Sequence, residues 1–291
     1  MPVHFKPAEP PARAVRRICQ EHITEALARL RRSRHPAAVH GARKEIKKLR
    51  AVLRLVRGEI GRGVYRPAAK ALRRAAGHLA ATRDARVMFQ AFAKLAGPGA
   101  ARRFPILHQA LQKHCRRETR RFRNDDAVAV AKRLLRKTGR RVAGLKIKAS
   151  GWRALEPGLK QSYRRGQQAS ELARRQSSAE NFHAWRKQVK TLWHQLRLLC
   201  PKRPARTLTD KLDRLGELLG DHHDLALLQQ FVAKQGQPVE ATALNLLIEA
   251  RQLKLRGAAL KLGTQLYAEA PATVCQRLGK NWSNWHGRHR K

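Results

Sequence analysis

The chain has 291 residues, with 64 Lys plus Arg against 20 Asp plus Glu, and a formal net charge of +44 at pH 7. Self-repulsion on that scale calls for a polyanionic partner: nucleic acid, an anionic membrane surface, or a long inorganic polyanion such as polyphosphate. Cys19, Cys115, Cys200 and Cys275 form no CxxC pair, which argues against a zinc ribbon and gives no disulfide framework.

No signal-peptide core is present at the N-terminus, and no apolar run approaches ~18 residues. A soluble, reducing, cytoplasmic setting with no membrane partner is therefore expected. Residues 1–11 are rich in proline and read as loose. A first helix is expected from about Ala12 to Leu30, broken over Ser33 to Pro36. A basic helix, His40 to Arg57, follows and should stop in the glycines from Gly58 to Gly63. Further helices are expected at Tyr65–Ala81, Asp84–Leu95 (ended by Gly97-Pro98-Gly99), Ile106–Phe122 and Asp125–Lys137, the last capped by Asn124 or Asp125. Thr138 to Gly158 is glycine-rich without a helical period and reads as a linker. Beyond it, helices are expected at Leu159–Arg175, Glu180–Leu199, Thr207–Leu219, Asp221–Lys234 and Val239–Leu262, with a short one at Ala272–Leu278. Nothing of length alternates with period 2, so the chain reads as all-α.

One stretch occurs twice. HGARKEIKKLRAVLRLV, His40 to Val56, aligns without gaps with HAWRKQVKTLWHQLRLL, His183 to Leu199, at an offset of 143. His40, Arg43, Lys44, Lys47 and Arg54 match His183, Arg186, Lys187, Lys190 and Arg197. Ile46, Leu49, Leu53 and Val56 match Val189, Leu192, Leu196 and Leu199. Spacings of 3 and 4 put the apolar set on one stripe of a helix and the cations, with His194, roughly opposite. A solvated surface helix normally mixes both signs of charge. Here the first copy has one acid, Glu45, and the second has none, so both faces read as anion-binding. Arg brings a bidentate fork to phosphate oxygens and Lys a mobile point charge. Histidines beside so many cations should be held neutral and act as hydrogen-bond donors, or alternatively orient the helix start.

The duplication continues at an offset of 140, where Leu72, Arg74, Asp84 and Val87 match Leu212, Arg214, Asp224 and Leu227. Two similar antiparallel helical bundles, each with its own core, are expected about a pseudo-two-fold axis. The first spans 10–138 and the second 158–280, joined by the linker 139–157 and followed by a basic tail, 281–291. Such symmetry could bring the two cationic faces to opposite walls of one groove.

Other motifs are less specific. DHHD, Asp221 to Asp224, resembles a metal-binding triplet of certain phosphoesterases, but it sits at a helix junction with no strands around it. Asp84 and Asp224 suit a helix start better, and could also hold basic residues of the ridge in place. Arg116, Arg117, Arg120, Arg121 and Arg123 have the spacing of a further ridge, with Arg251, Lys254 and Arg256 as a candidate counterpart, and read equally well as a wider groove or as plain surface charge. Lys160, Tyr163 and Arg164 read equally well as phosphate contacts or as a core tyrosine on a solvated helix. In the tail, Trp282 and Trp285 could stack on bases, although a packed terminal segment fits as well. No Walker loop, GxGxxG, HExxH or Ser-His-Asp pattern occurs. Catalysis, a metal and a cofactor are not expected.

The doubled HxxRKxxKxL resembles the CHAD (conserved histidine α-helical domain) family, as do RDARV at Arg83 to Val87, DLALL at Asp224 to Leu228 and YRRGQQA at Tyr163 to Ala169. The resemblance covers about residues 10–270. It implies paired helical bundles with a basic central cleft, binding of inorganic polyphosphate without catalysis, and recruitment to polyphosphate granules. The carried-over residues are His40, Arg43, Lys44, Lys47, His183, Arg186, Lys187 and Lys190. Lys48, Arg50, Arg54, Arg83, Arg116, Arg120, Lys160, Tyr163, Arg164, His194 and Arg197 complete the expected site. The ExExK motif of a triphosphatase domain joined to some members is absent. Lys48 and Arg50 face Thr191 and Trp193 in the alignment, and Arg83 faces His223, so the two walls should differ. A protein that contacts nucleic-acid phosphates is the alternative. The ridges lack the Asn, Gln and aromatic readers that base recognition needs.

Overall fold

The computed structural model describes residues 3–32, 36–124, 126–199, 206–235 and 238–287. Twelve α-helices follow in order: α1 Pro11–Arg31, α2 Pro36–Leu55, α3 Arg57–His78, α4 Ala81–Ala96, α5 Ala100–Arg103, α6 Pro105–Asn124, α7 Ala127–Ala143, α8 Glu156–Arg175, α9 Ala179–Leu199, α10 Arg206–Val232, α11 Pro238–Leu266 and α12 Pro271–Gly287. A 3-10 turn, Gly151–Ala154, precedes α8. Among the described residues there is no strand. Proline opens α1, α2, α6, α11 and α12, where its fixed φ suits the first turn and its missing N–H costs no hydrogen bond.

Most helices stand where the periodicity puts them, and the departures have local causes. The glycines 58–63 do not end a helix. The chain turns at Val56, and α3 carries a single kink at Gly61, φ 68°. Gly97 and Gly99 end α4 and start the short α5 with positive φ. The expected break at 33–35, the capping Asp125 and Cys200 lie outside the described residues. The observed N-cap of α7 is Asp126, with no side-chain cap bond.

The segment 139–157 is not a loose linker. Its first residues complete α7, and Leu145, Ala154 and Leu155 are buried. The expected stop near Gly220 does not exist, since α10 runs unbroken for 27 residues. The N-terminal stretch is pinned too. Phe5 is fully buried, and Arg17 holds Glu9 and the His4 carbonyl. In the tail, Asn281 to Gly287 continue α12. There Trp282 packs on Trp152 and His286, and the His286 ring meets the Glu9 carbonyl at 2.9 Å. Trp282, 3% exposed, is therefore unavailable for stacking on a base.

The apolar residues form two clusters, and neither is confined to one half of the chain. The larger joins α1, α2, α3 and α7 to α8, α9, α12, the start of α10 and the end of α11. The smaller joins α4 and α6 to Leu225, Leu228 and Val232 of α10 and to Leu244, Ile248 and Leu255 of α11. The expectation of a separate core in each half is corrected accordingly. At the middle, α2 packs directly on α9 and α8, and α4 on α10.

Close approach of α8 to the end of α2 depends on Gly158, because a Cβ there would fall on the Leu55 carbonyl and Cα. Backbone cannot swing aside as a flexible side chain does. Gly158→Ala should cost about 3 kcal/mol or more and lower the melting temperature by roughly 6 °C or more. Thermal unfolding followed by circular dichroism checks this; an unchanged melting temperature would show that the helices can separate freely.

Candidate functional site

The keel of each ridge helix does what its spacing demands. Ile46, Leu49, Leu53 and Val56 of α2 are buried, as are Val189, Leu192, Leu196 and Leu199 of α9. That fixes the rotation of both helices and turns their cations away from the core. Glu45, the one acid of the first ridge, points inward at 5% exposure. His22 bonds it at 2.8 Å and Lys48 at 2.7 Å. Burial alone would raise its carboxyl; these two partners outweigh burial and hold it down to about 2. The acid is thus spent beneath the ridge, and no negative charge of α2 is left on the outer face.

Where α2, α4, α9 and α10 meet, charges from both ridges act on one another. Lys47 is half-buried and feels Arg186, Arg43 and Arg83, with Asp84 opposing. Burial first, and then these cations, push its ammonium down to about 7. Arg43 donates to the Ala76 carbonyl of α3. Arg186 lies over Gly220, where a Cβ would come within 3.4 Å of its Nε, and Lys190 lies over Gly216. Burial lowers the pKa of both Arg43 and Arg186. Trp193 carries Lys190 on its ring at 4.6 Å and Arg197 at 4.7 Å, and Lys190 also meets Asp213 at 3.0 Å.

Arg83 stands between the two repeat-related acids, 3.0 Å from Asp84 and 3.5 Å from Asp224. His183 and His223 stack with centroids 3.9 Å apart. The His183 Nδ1 and Arg186 Nε atoms are buried without a hydrogen-bond partner among the described residues. Lys44, Lys187 and His40 are exposed along the rim.

A second group extends the α2 ridge. Arg54 donates to Gln188 and Thr191 of α9 at 3.3 and 3.2 Å. Arg50 feels Arg54 and Arg73, and Arg165 feels Arg54 and Arg57. From α8, then, Arg165 joins the ridge. The expected Arg164 is exposed elsewhere on the helix, with Lys160 on the side of Cys275. Tyr163 is corrected outright. It is 1% exposed, donates to the Leu266 and Glu269 carbonyls and packs edge-on against Tyr267, so it anchors α8 and touches no ligand. Arg116 and Arg120 are exposed on α6, whose packing partners are α4, α5 and α11 rather than α2 or α9, so they do not join the ridge. The Arg123 side chain lies outside the described residues.

DHHD is part of continuous helix, so its four side chains fan outward. Asp221 pairs with Lys94 at 2.7 Å, His222 packs on Phe182, His223 on His183, and Asp224 faces Arg83. Among the described residues no group of three metal-ligating side chains gathers. Sequence reasoning missed His223 and Arg165 as site residues, whereas Asp84 and Asp224, matched in the repeat, do hold a ridge cation, Arg83, in place.

The histidines of the ridges and of α10 are held below their ordinary range. Burial first, then the neighbouring cations, lowers His40 and takes His183 to about 4 and His194 and His223 to about 3. Burial and Arg256 take His222 to about 4. In the unfolded chain each would titrate near ~6.5. Between about pH 6.5 and 4 unfolding therefore takes up protons that the folded chain refuses, and stability falls as pH falls through that window. The ligand-free melting temperature should drop steeply from pH 6.5 to 4. His183→Gln with His223→Gln should flatten that slope by up to two protons.

The CHAD domain family model matches residues 14–233. PptA from Streptomyces chartreusis superposes with a TM-score of 0.69, over 91% of this chain and 100% of that chain, at 15% identity. The CHAD domain from the plant Ricinus communis superposes with a TM-score of 0.60, over 91% of this chain and 89% of that one, at 19% identity. Both share the all-helical fold. No curated protein matches the chain in sequence. With the family model covering well over half of its residues, the chain belongs to the CHAD domain family.

Proposed function

We propose that this protein binds inorganic polyphosphate, without catalysis of its own, along the cations of α2 and α9. The observation that carries the reading is the crowding of Lys47, Arg43, Arg83 and Arg186 from three helices, with only Asp84 and Asp224 to offset them. Burial, and then the neighbouring cations, bring Lys47 toward neutrality; an anion would relieve both the desolvation and the repulsion. The two ridges are read as walls of one basic groove, related by the internal duplication. A bare phosphate chain, with charge at every unit, suits lysines and arginines one helical turn apart, about 5.4 Å. Family membership supports the reading, since CHAD domains are associated with polyphosphate-related proteins. Buried histidines would act as neutral donors, and exposed Lys44 and Lys187 as the first contacts. A cytoplasmic protein with such a groove would be recruited to polyphosphate granules.

Competition at physiological salt tests the ligand. Labelled long-chain polyphosphate is displaced by unlabelled polyphosphate, duplex DNA or single-stranded RNA at matched phosphate concentration. Nucleic acids should compete only in large excess; equal competition would make the chain a nucleic-acid-binding protein that contacts phosphates alone. Lys44→Glu with Lys187→Glu changes only exposed positions and should weaken polyphosphate binding at least about tenfold, or ~1.4 kcal/mol. The salt dependence should become shallower, with helicity unchanged. Lys47→Glu with Lys190→Glu should abolish binding, and Asp221→Ala should leave it unaltered.

A further inference from the structure

We propose that the outward face of α11 is a homodimer interface, on which two copies of this chain pair with their α11 helices antiparallel. The inward face of α11 is spoken for: Leu244, Ile248, Gln252, Leu255 and Ala259 are buried. The opposite face is apolar as well. Val239, Leu246 and Leu253 are 84%, 64% and 68% exposed, the largest exposures among the big apolar side chains described. Ala243, Ala250 and Gly257 stand exposed between them. The six recur at steps of 4 and 3, the 3.5-residue average of a coiled-coil seam, and run for about 27 Å along the helix. A surface helix of a monomer turns polar residues outward. On this one the exposed polar residues, Glu249, Arg251 and Lys254 among them, flank an apolar stripe that lies opposite the buried face.

The alternation of large and small says what covers the seam. In a parallel pair, identical positions meet, so leucine would crowd leucine in one layer and alanine leave a void against alanine in the next. In an antiparallel pair the two kinds of position meet each other. Leu246 of one copy faces Ala250 of the other, Leu253 faces Ala243, and Val239 faces Gly257, where a Cβ would find open space. Each large side chain meets a small one, as close packing requires. The register also sets Glu240 of one copy beside Lys254 of the other. Exposed Ile106, whose backbone N–H bonds Glu240, widens the strip at its edge.

Charge opposes pairing less here than over the chain at large. Two copies of a chain of net charge +44 repel over most of their surface. Along the seam itself, residues 239–257, Glu240 and Glu249 stand against Arg251, Lys254 and Arg256, a net of +1. A strip ~27 Å long and ~10 Å wide falls short of the ~800 Å² per partner of a standard interface. The dimer should therefore be concentration-dependent, in the micromolar range.

Pairing through α11 is independent of polyphosphate binding. Sedimentation equilibrium of the full chain, freed of nucleic acid, in about 0.5 M salt to screen repulsion, should show a species of twice the 33.0 kDa chain mass. Leu246→Glu should raise the dissociation constant at least tenfold while the circular dichroism spectrum stays the same. Ala250→Leu is the sharper test. It adds exposed apolar surface yet sets leucine against leucine in the antiparallel register, so the dimer should weaken. A monomer up to ~100 µM, or a dimer indifferent to Leu246→Glu, overturns the interface. A dimer strengthened by Ala250→Leu overturns the antiparallel packing.

Discussion

Like charges held closer together than water would allow are the constraint on which the rest of the molecule depends. Lys47, Arg43 and Arg186 approach one another, and Arg83 of α4, because the apolar keels of α2 and α9 turn them away from the core. Hydrophobic burial along each helix, about 25 cal/mol for every Å² of apolar surface, sets the rotation, and the cations follow. Two acids at equivalent positions of the repeat, Asp84 and Asp224, moderate the crowding without cancelling it. Glycine beneath Arg186 and Lys190 lets the basic side chains lie flat on α10, so that α9 and α10 pack closely around charge instead of around apolar volume. Desolvation then keeps the histidines neutral, which leaves them as donors.

Much of this was legible in the amino-acid order. The matched keels of α2 and α9 follow from spacing alone, because burial of one stripe overrides every other preference of those helices. Arg83 was legible through the RDARV resemblance, although its counterpart in the second half is His223. What the order could not reveal has physical reasons. Glycine inside a helix normally marks an end, but α10 continues through Gly216 and Gly220, with Lys190 lying where a Cβ of Gly216 would stand and Arg186 in van der Waals reach of Gly220. Arg164 and Arg165 differ by a rotation of about 100°. Only the packing angle of α8 on α2 decides that Arg165 reaches Arg54.

Tyr163 shows a different limit. In sequence, a tyrosine beside two arginines reads equally as a ligand contact or as a core residue. Its hydroxyl is claimed by carbonyls of Leu266 and Glu269, more than a hundred residues away. No local pattern carries that information. The same holds for residues 3–9, whose prolines suggest slack. Glu9 meets Arg17 there, and Phe5 finds a place in the larger core.

The continuity of α10 has a mechanical consequence. Its first half belongs to one apolar cluster and its second half to the other, while Asp224 and His223 sit near the crossing. A rigid rod shared by two cores lets neither open without pulling on the other. The chain should therefore behave as one cooperative unit despite its doubled sequence.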